Sequence, residues 1–194
     1  MKKNSIMANC FRTTKCFGAW SWYGKDGKHY NGAFPNGFIN WVKKAGYWGD
    51  KRVYLCSGTI EDKDAVTVDI RPDVKPTLCE DARNTSLKDN SFNWVMIDPP
   101  YSKELAKKMY NTEAVFSGID SFAKEGARIC EPSGLILTLS YQVPKRLPNC
   151  DFIAVCGVYT IPCVSYMRCF TVSKKRDLNE PQGVSARDNP NSHV

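Results

Sequence analysis

The chain has 194 residues and a formal charge of +7, enough for one domain, or one domain with an appended module, and enough to bury about 70% of its unfolded surface without staples. Apolar residues at 42% and charged residues at 24% are usual for soluble globular proteins and exclude a chain that is mainly disordered. No run approaches the roughly 18 apolar residues that span a bilayer, and the opening MKKNSIMANCFRTT lacks the apolar core of a secretory signal. Neither a membrane protein nor a secreted one is expected, and the expected compartment is the cytoplasm.

The first quarter carries the charge. Residues 1–54 hold ten Lys and Arg against Asp26 and Asp50, a balance of +8, whereas the remaining 140 residues sum to −1. The same quarter holds 12 of the 23 aromatic residues, among them Trp20, Trp22, Tyr23, Tyr30, Phe34, Trp41 and Trp48. Basic charge interleaved with ring faces suits a polyanion with stackable bases. The same composition also describes an aromatic mini-core with a solvated basic rim. Residues 1–50 read as an N-terminal module ending in a helix: Asn36 caps it, Phe38, Ile39 and Val42 form its apolar stripe, and Gly46 stops it.

Short β-type runs follow at 52–56, 65–70, 77–79 and 92–98, divided by turn residues. Residues 102–130 form the long helical stretch, with Ser102 as cap, Leu105 and Met109 as i,i+4 partners, and Gly118 dividing it. Pro132-Ser133-Gly134 turns the chain into 135–141, a nearly all-apolar run suited to a strand covered on both faces. Runs at 152–159 and 165–173, joined at Ile161-Pro162, complete a core over 51–173. From Lys174 the sequence KKRDLNEPQGVSARDNPNSHV has almost no apolar content, so 174–194 reads as a disordered tail.

Strands alternating with helices predict an α/β fold with a mostly parallel sheet that ends in an antiparallel hairpin. Only eight residues separate Cys56 from Ala65, fewer than a parallel crossover usually spans. Helices are therefore reduced in the first half, one face of the sheet is thinly covered there, and the N-terminal module is the candidate to cover it. The nine cysteines and the two histidines, His29 and His193, form no CxxC and no tight ligand pair, so no metal site is expected. Cys150 with Cys156, and Cys163 with Cys169, are each six apart, a spacing that puts each pair on one face of a strand. Reduced thiols, mostly buried, are the expectation.

The most specific chemistry lies in Asp98-Pro99-Pro100-Tyr101, at the end of the apolar run Trp94-Val95-Met96-Ile97. Such a tetrapeptide arises by chance in about one chain in a thousand of this length. It falls at a strand C-terminus, where open α/β sheets bind ligands. Two prolines neither extend the strand nor donate backbone hydrogen bonds, so they fix a stiff elbow that presents the Asp98 carboxylate, the Pro99 carbonyl and the Tyr101 ring together. Two acceptors can take both N–H bonds of an exocyclic amine while the ring stacks on the flat base. No GxxxxGK[ST] is present, which excludes a P-loop nucleotidase.

These four residues resemble the [DNS]PP[YFW] hallmark of the amino-methyltransferases that use S-adenosylmethionine, among them small phage and bacterial adenine-N6 and cytosine-N4 DNA methylases. The resemblance implies a Rossmann-like class I methyltransferase fold. It implies that Asp98, Pro99, Pro100 and Tyr101 bind the target amino group and aim its nitrogen lone pair at the cofactor's methyl. The family's glycine-containing loop after the first strand matches Leu55-Cys56-Ser57-Gly58-Thr59, so Cys56, Ser57 and Gly58 are implied to hold the cofactor's amino-acid end. Asp69, closing Val66-Thr67-Val68-Asp69, matches the acid that binds the ribose hydroxyls. Asp81, with Ala82, matches the segment that reads the cofactor's adenine. Phe34-Pro35-Asn36-Gly37-Phe38 resembles, more distantly, a segment that closes over the methionine end. The family loop usually holds two or three glycines; here Gly58 stands alone.

For the target, the basic first quarter favours nucleic acid over protein, and the resemblance then implies adenine N6 in DNA. The alternatives are an RNA base N-methyltransferase acting on adenine N6 or guanine N2, and a catalytically silent nucleic-acid- or cofactor-binding protein of the same fold. A paired base must be flipped to reach the elbow. Residues 102–134 are the only stretch that could hold a target-recognition region, and helix claims them. That implies short or relaxed sequence preference, or recognition shared with a second copy or a partner subunit.

Overall fold

A computed structural model of the protein describes residues 14–17, 34–35, 37–101, 107, 118–160 and 167–179. Among these, eight strands form a single sheet: β1 (Thr14–Phe17), β2 (Arg52–Leu55), β3 (Ala65–Asp69), β4 (Leu78–Cys79), β5 (Phe92–Ile97), β6 (Cys130–Ser140), β7 (Cys150–Thr160) and β8 (Met167–Lys175). The spatial order is β1-β7-β8-β6-β5-β2-β3-β4. From β4 to β6 every pairing is parallel, in the strand order 3-2-1-4-5 of a doubly wound sheet. Strand β8 then runs antiparallel to both β6 and β7, the expected C-terminal hairpin. β1 lies parallel to β7.

Two helices flank this sheet among the described residues, α1 (Phe38–Lys44) and α2 (Ile119–Ile129). Helix α2 buries Ile119, Phe122, Ala123 and Ile129 against Val95, Ile97 and Ile136 of the sheet. Its Gly126 permits the approach: a Cβ there would stand 2.8 Å from Cδ1 of Ile97. The opposite face is covered by α1, whose Phe38 and Val42 are fully buried against Trp94, Met96 and Phe170. Phe38 meets Phe170 edge-on at 5.2 Å, and the Trp94 indole N–H donates to the Tyr47 carbonyl at 2.9 Å. The face left bare by the short connections is closed by residues 37–48; most of the expected N-terminal module, residues 1–13 and 18–33, lies outside the described residues.

Several local expectations are corrected. The residue at the N-terminus of α1 is Gly37, at φ 79° with no side-chain cap; Asn36 lies outside the described residues, as do Ser102, Leu105 and Met109. Gly118, at φ 80°, starts α2. Pro132-Ser133-Gly134 does not turn the chain into a new strand. These residues sit inside β6 as a bulge, with Phe92 opposite Cys130 but Trp94 opposite Leu135, and Ser133 absorbs the excess at φ 64°. Cys150 and Cys156 face opposite sides of the sheet, one packed with α2 and the other with α1, because β7 shifts register between Phe152 and Ala154 and the alternation reverses there. Cys163 lies outside the described residues. Strand β8 also runs on to Lys175, whose ammonium donates to the Ala127 and Cys130 carbonyls at 2.7 Å each, so Lys174 and Lys175 belong to the strand and not to the expected tail; residues 180–194 lie outside the described residues. Cys56, Cys79, Cys130, Cys150, Cys156 and Cys169 are free thiols.

The nine-residue link from β2 to β3 is parallel despite its brevity. Arg52 grips Asp62 with two bonds of 3.0 Å, Tyr54 donates to the same carboxylate at 3.1 Å, and Ile60 packs on the α1 face. A side-chain clamp does what a crossover helix does elsewhere.

Candidate active site

After β2 the chain moves outward to β3 and β4, and after β5 it moves the other way to β6. The topological switch point therefore lies between β2 and β5, and the crevice outside their carboxyl ends is where such sheets bind ligands. Leu55 and Ile97 are register partners there, and the Asp98 N–H continues the ladder onto the Leu55 carbonyl at 3.3 Å. The proline elbow then lifts the chain off the edge, with Pro99 buried and Asp98, Pro100 and Tyr101 half-buried.

On the β2 side, Cys56 at φ 58° and Gly58 at φ 56° both take left-handed backbone. Cys56 occupies a conformation that favours glycine, which is how a loop with one glycine makes this turn. The Ser57 N–H donates to the Val68 carbonyl at 3.0 Å, and Gly58 N–H to Oδ2 of Asp69 at 2.8 Å. Ser57 is 1% exposed and its Oγ has no hydrogen-bond partner among the described residues, an orphan of a kind that buried polar atoms seldom are.

The two acids expected around a cofactor, Asp69 and Asp81, and the acid expected at the target amine, Asp98, all act on this loop through Cys56. Burial pushes the Cys56 thiol well above its ordinary range, and the charges of Asp69, Asp98 and Asp81 push it further. Asp69, however, is occupied. Besides Gly58 it accepts the Arg71 backbone N–H at 3.0 Å and the Arg71 guanidinium at 3.1 and 3.4 Å, which uses the capacity of a carboxylate. Asp81 is gripped by the Arg83 guanidinium, whose hydrogen bonds hold its carboxyl below the usual range. The Ala82 side chain packs in the core on the α2 face. Phe34 stacks on Phe38 at 5.9 Å and leans on Tyr54 at 6.0 Å, and buried Pro35 accepts the Phe38 N–H at 2.9 Å. Both belong to the ring cluster over β2, and their contacts are with that cluster.

On the β5 side, the Tyr101 hydroxyl donates to Oδ1 of Asp98 at 2.9 Å, and Nη1 of Arg168 donates to the Tyr101 oxygen, also at 2.9 Å. Tyr141, at the end of β6, stacks on the Tyr101 ring with centroids 4.2 Å apart. Burial raises the Asp98 carboxyl to about 6, against the lowering pull of Arg168 and the Tyr101 hydroxyl. Burial and the Asp98 charge push Tyr101 well above its ordinary range, so its hydroxyl stays a donor. Sequence reading missed Arg168 and Tyr141. The signal for Arg168 was a charge at the same strand parity as Phe170 and Val172, where only an apolar residue or a functional one belongs.

Among the described residues no helix is long and apolar enough to cross a membrane. No family model and no curated protein matches the sequence. Among solved structures, the fold is similar to that of a SAM-dependent methyltransferase from Aquifex aeolicus, at 12% identity and a TM-score of 0.41, over 70% of this chain and 87% of that one.

Proposed function

We propose that the protein transfers the methyl group of S-adenosylmethionine to an exocyclic amino group of a nucleic-acid base, adenine N6 in DNA. The observation that supports this most is the placement of Asp98: the carboxylate stands at the switch point beside the strained Cys56–Gly58 loop, with a fixed tyrosine ring against it. Ser57 supplies the fit to the cofactor, since its buried Oγ lacks a partner among the described residues and can serve the amino-acid end. Asp69 is the candidate for the ribose hydroxyls and Asp81 for the adenine amino group. Each must first share its carboxylate with an arginine two residues on. When bound, the cofactor supplies an electrophilic sulfonium methyl.

The chain's own residues then do the positioning. Asp98 and the Pro99 carbonyl accept the two N–H bonds of the target amine, which orients its lone pair, and the Tyr101 ring offers the base a flat face. Asp98 presents two acceptor oxygens only while ionised; the neutral acid keeps the acceptor that the Tyr101 hydroxyl already occupies and carries a donor O–H on the other oxygen. With its carboxyl raised to about 6, it offers the amine an acceptor at neutral pH and a mismatched donor under mild acid. No stronger base is required, because the nitrogen becomes acidic once methylated and releases its proton afterwards.

The test is incubation with tritiated cofactor and either duplex DNA or RNA, followed by mass analysis of the nucleosides. Label recovered as N6-methyladenine from DNA is expected. Asp98→Ala should lower transfer by at least about 100-fold while S-adenosylhomocysteine binding, read by calorimetry, persists. Label found only in RNA would move the substrate to RNA; no label in either, or an Asp98→Ala protein as active as its parent, would overturn the reading.

A further inference from the structure

Arg168 is 5% exposed, and a guanidinium removed from water is costly unless something in the fold uses it. It projects from the first turn of the ladder between β6 and β8, where Ser140 pairs with Cys169, so the next residues of each strand, Tyr141 and Arg168, stand side by side at the sheet's carboxyl edge. From there it reaches the elbow: Nη1 donates to the Tyr101 oxygen, and that hydroxyl donates to Oδ1 of Asp98, both at 2.9 Å. The guanidinium carbon also lies 6.0 Å from the centre of the Tyr101 ring. Hydrogen bonds aligned in one direction polarise one another, and a cation at the head strengthens each bond after it.

We propose that Arg168 is a positioning residue for the amine acceptor: it fixes the Tyr101 hydroxyl on Oδ1 of Asp98, which sets the carboxylate's orientation and directs Oδ2, unpartnered among the described residues, at the incoming NH2. The role of that amine rests on the proposed methyl transfer; the relay itself does not. Without Arg168 the tyrosine hydroxyl could turn to water, the carboxylate could rotate, and the neutral acid would be favoured. The other groups facing Asp98 do not substitute for it. Cys56 stays a neutral thiol, Tyr101 stays protonated, and the Asp69 and Asp81 carboxylates are each compensated by their own arginines.

The experiment is a carbon-13 NMR titration of the Asp98 carboxyl in the full chain, assigned by its disappearance in Asp98→Asn. In the parent the expected midpoint is about 6. Arg168→Gln should raise it by about one unit or more, Arg168→Lys should recover part of the shift, and Tyr101→Phe, which keeps the ring and loses only the hydroxyl, should also raise it. Because both act through one relay, the double variant should shift less than the two singles combined. The acid limb of kcat/KM for methyl transfer should follow the midpoint in each variant. A midpoint within about 0.3 of a unit of the parent in Arg168→Gln, or shifts that simply add, would overturn the proposal. Should Arg168→Gln fail to fold, an unmoved midpoint in Tyr101→Phe overturns it equally. The midpoint is readable without activity, so the two proposals separate. Shifts as stated in a protein that methylates nothing would uphold the relay and remove the proposed function, whereas an active protein with an unmoved midpoint would do the reverse.

Discussion

Burial raises the Asp98 carboxyl to about 6 even though Arg168 and the Tyr101 hydroxyl both act to lower it. The native state therefore holds a proton there in a pH range where the unfolded chain has released it. Between about pH 4 and pH 6 the native form binds more protons, so this residue's contribution to stability is present below that window and is lost as the pH rises through it. Asp98→Asn is neutral throughout and escapes the loss. Its melting temperature should exceed the parent's by about 5 °C at pH 8 and converge with it near pH 3, measured by scanning calorimetry; equal melting temperatures at pH 8 would show that the charge is not buried at a cost. Cys56 is a second residue held for position, with left-handed backbone that side chains resist. If it were only packing, valine would serve as well. Instead Cys56→Val should cost about 2 kcal/mol or more in urea unfolding, whereas Cys56→Gly, free to adopt φ 58°, should stay within about 1 kcal/mol. Of these residues, Asp69, Asp81 and Asp98 were legible in the sequence because each closes or follows its own strand, a local signal. Arg168 and Tyr141 were not. Their meeting depends on the antiparallel register of β6 on β8, which no short window of sequence contains.

Elements tell the same story at longer range. The strands of the parallel half were visible as apolar runs; the bounds of β2 to β5 differ from the expected ones by a residue, whereas β6 begins five residues earlier than expected. What could not be read was how a parallel crossover is made without a helix. The answer lies in three polar residues, Arg52, Tyr54 and Asp62, whose mutual distances are set only once the link has closed. Arg52 also lies over the Trp48 ring at 4.7 Å, which ties the crossover to the segment that covers the sheet. Removing the carboxylate leaves both donors of the clamp unmatched in a largely enclosed setting. Asp62→Ala should therefore destabilise by about 2–4 kcal/mol. Asp64→Ala, whose carboxylate is 88% exposed and only 3.8 Å from Arg52 at its nearest, should change stability by less than about 0.5 kcal/mol. Urea midpoints at constant m-value compare them, and equal losses would reduce the clamp to an ordinary surface ion pair. The bulges of β6 and β7 were equally invisible, because a bulge answers a mismatch between neighbouring strands. One of them reverses the facing of Cys156 relative to Cys150.

Across the whole molecule, charge and chemistry are separated in the chain but can act on one substrate. The candidate site's edge is built from residues 55–101 with Arg168 and Tyr141, a region where nine acids outnumber six bases for a net charge of −3, while the basic excess belongs to residues 1–54. On the proposed reading the elbow recognises an amine and a flat ring, features that adenine carries in any sequence, so it would supply little affinity for a polymer. Phosphate contacts supply affinity without reading sequence. If the basic quarter makes those contacts, the two requirements divide cleanly, and the protein methylates with loose sequence preference. Lys43 and Lys44, exposed in the last turn of α1, are described members of that quarter, and Lys124, exposed on α2, lies on the opposite side of the sheet. Binding to a duplex oligonucleotide should weaken steeply with salt, and replacing Lys43 and Lys44 together by alanine should reduce the slope of log Kd against log salt by about 1–2. Shuffling the oligonucleotide's sequence should leave Kd nearly unchanged, and Lys124→Ala should leave the slope unchanged. Fluorescence anisotropy across a salt series measures all three. A slope indifferent to Lys43 and Lys44 would return α1 to the plainer role that its buried face already demonstrates, an apolar cover with a solvated rim, and would require affinity to arise elsewhere on the molecule.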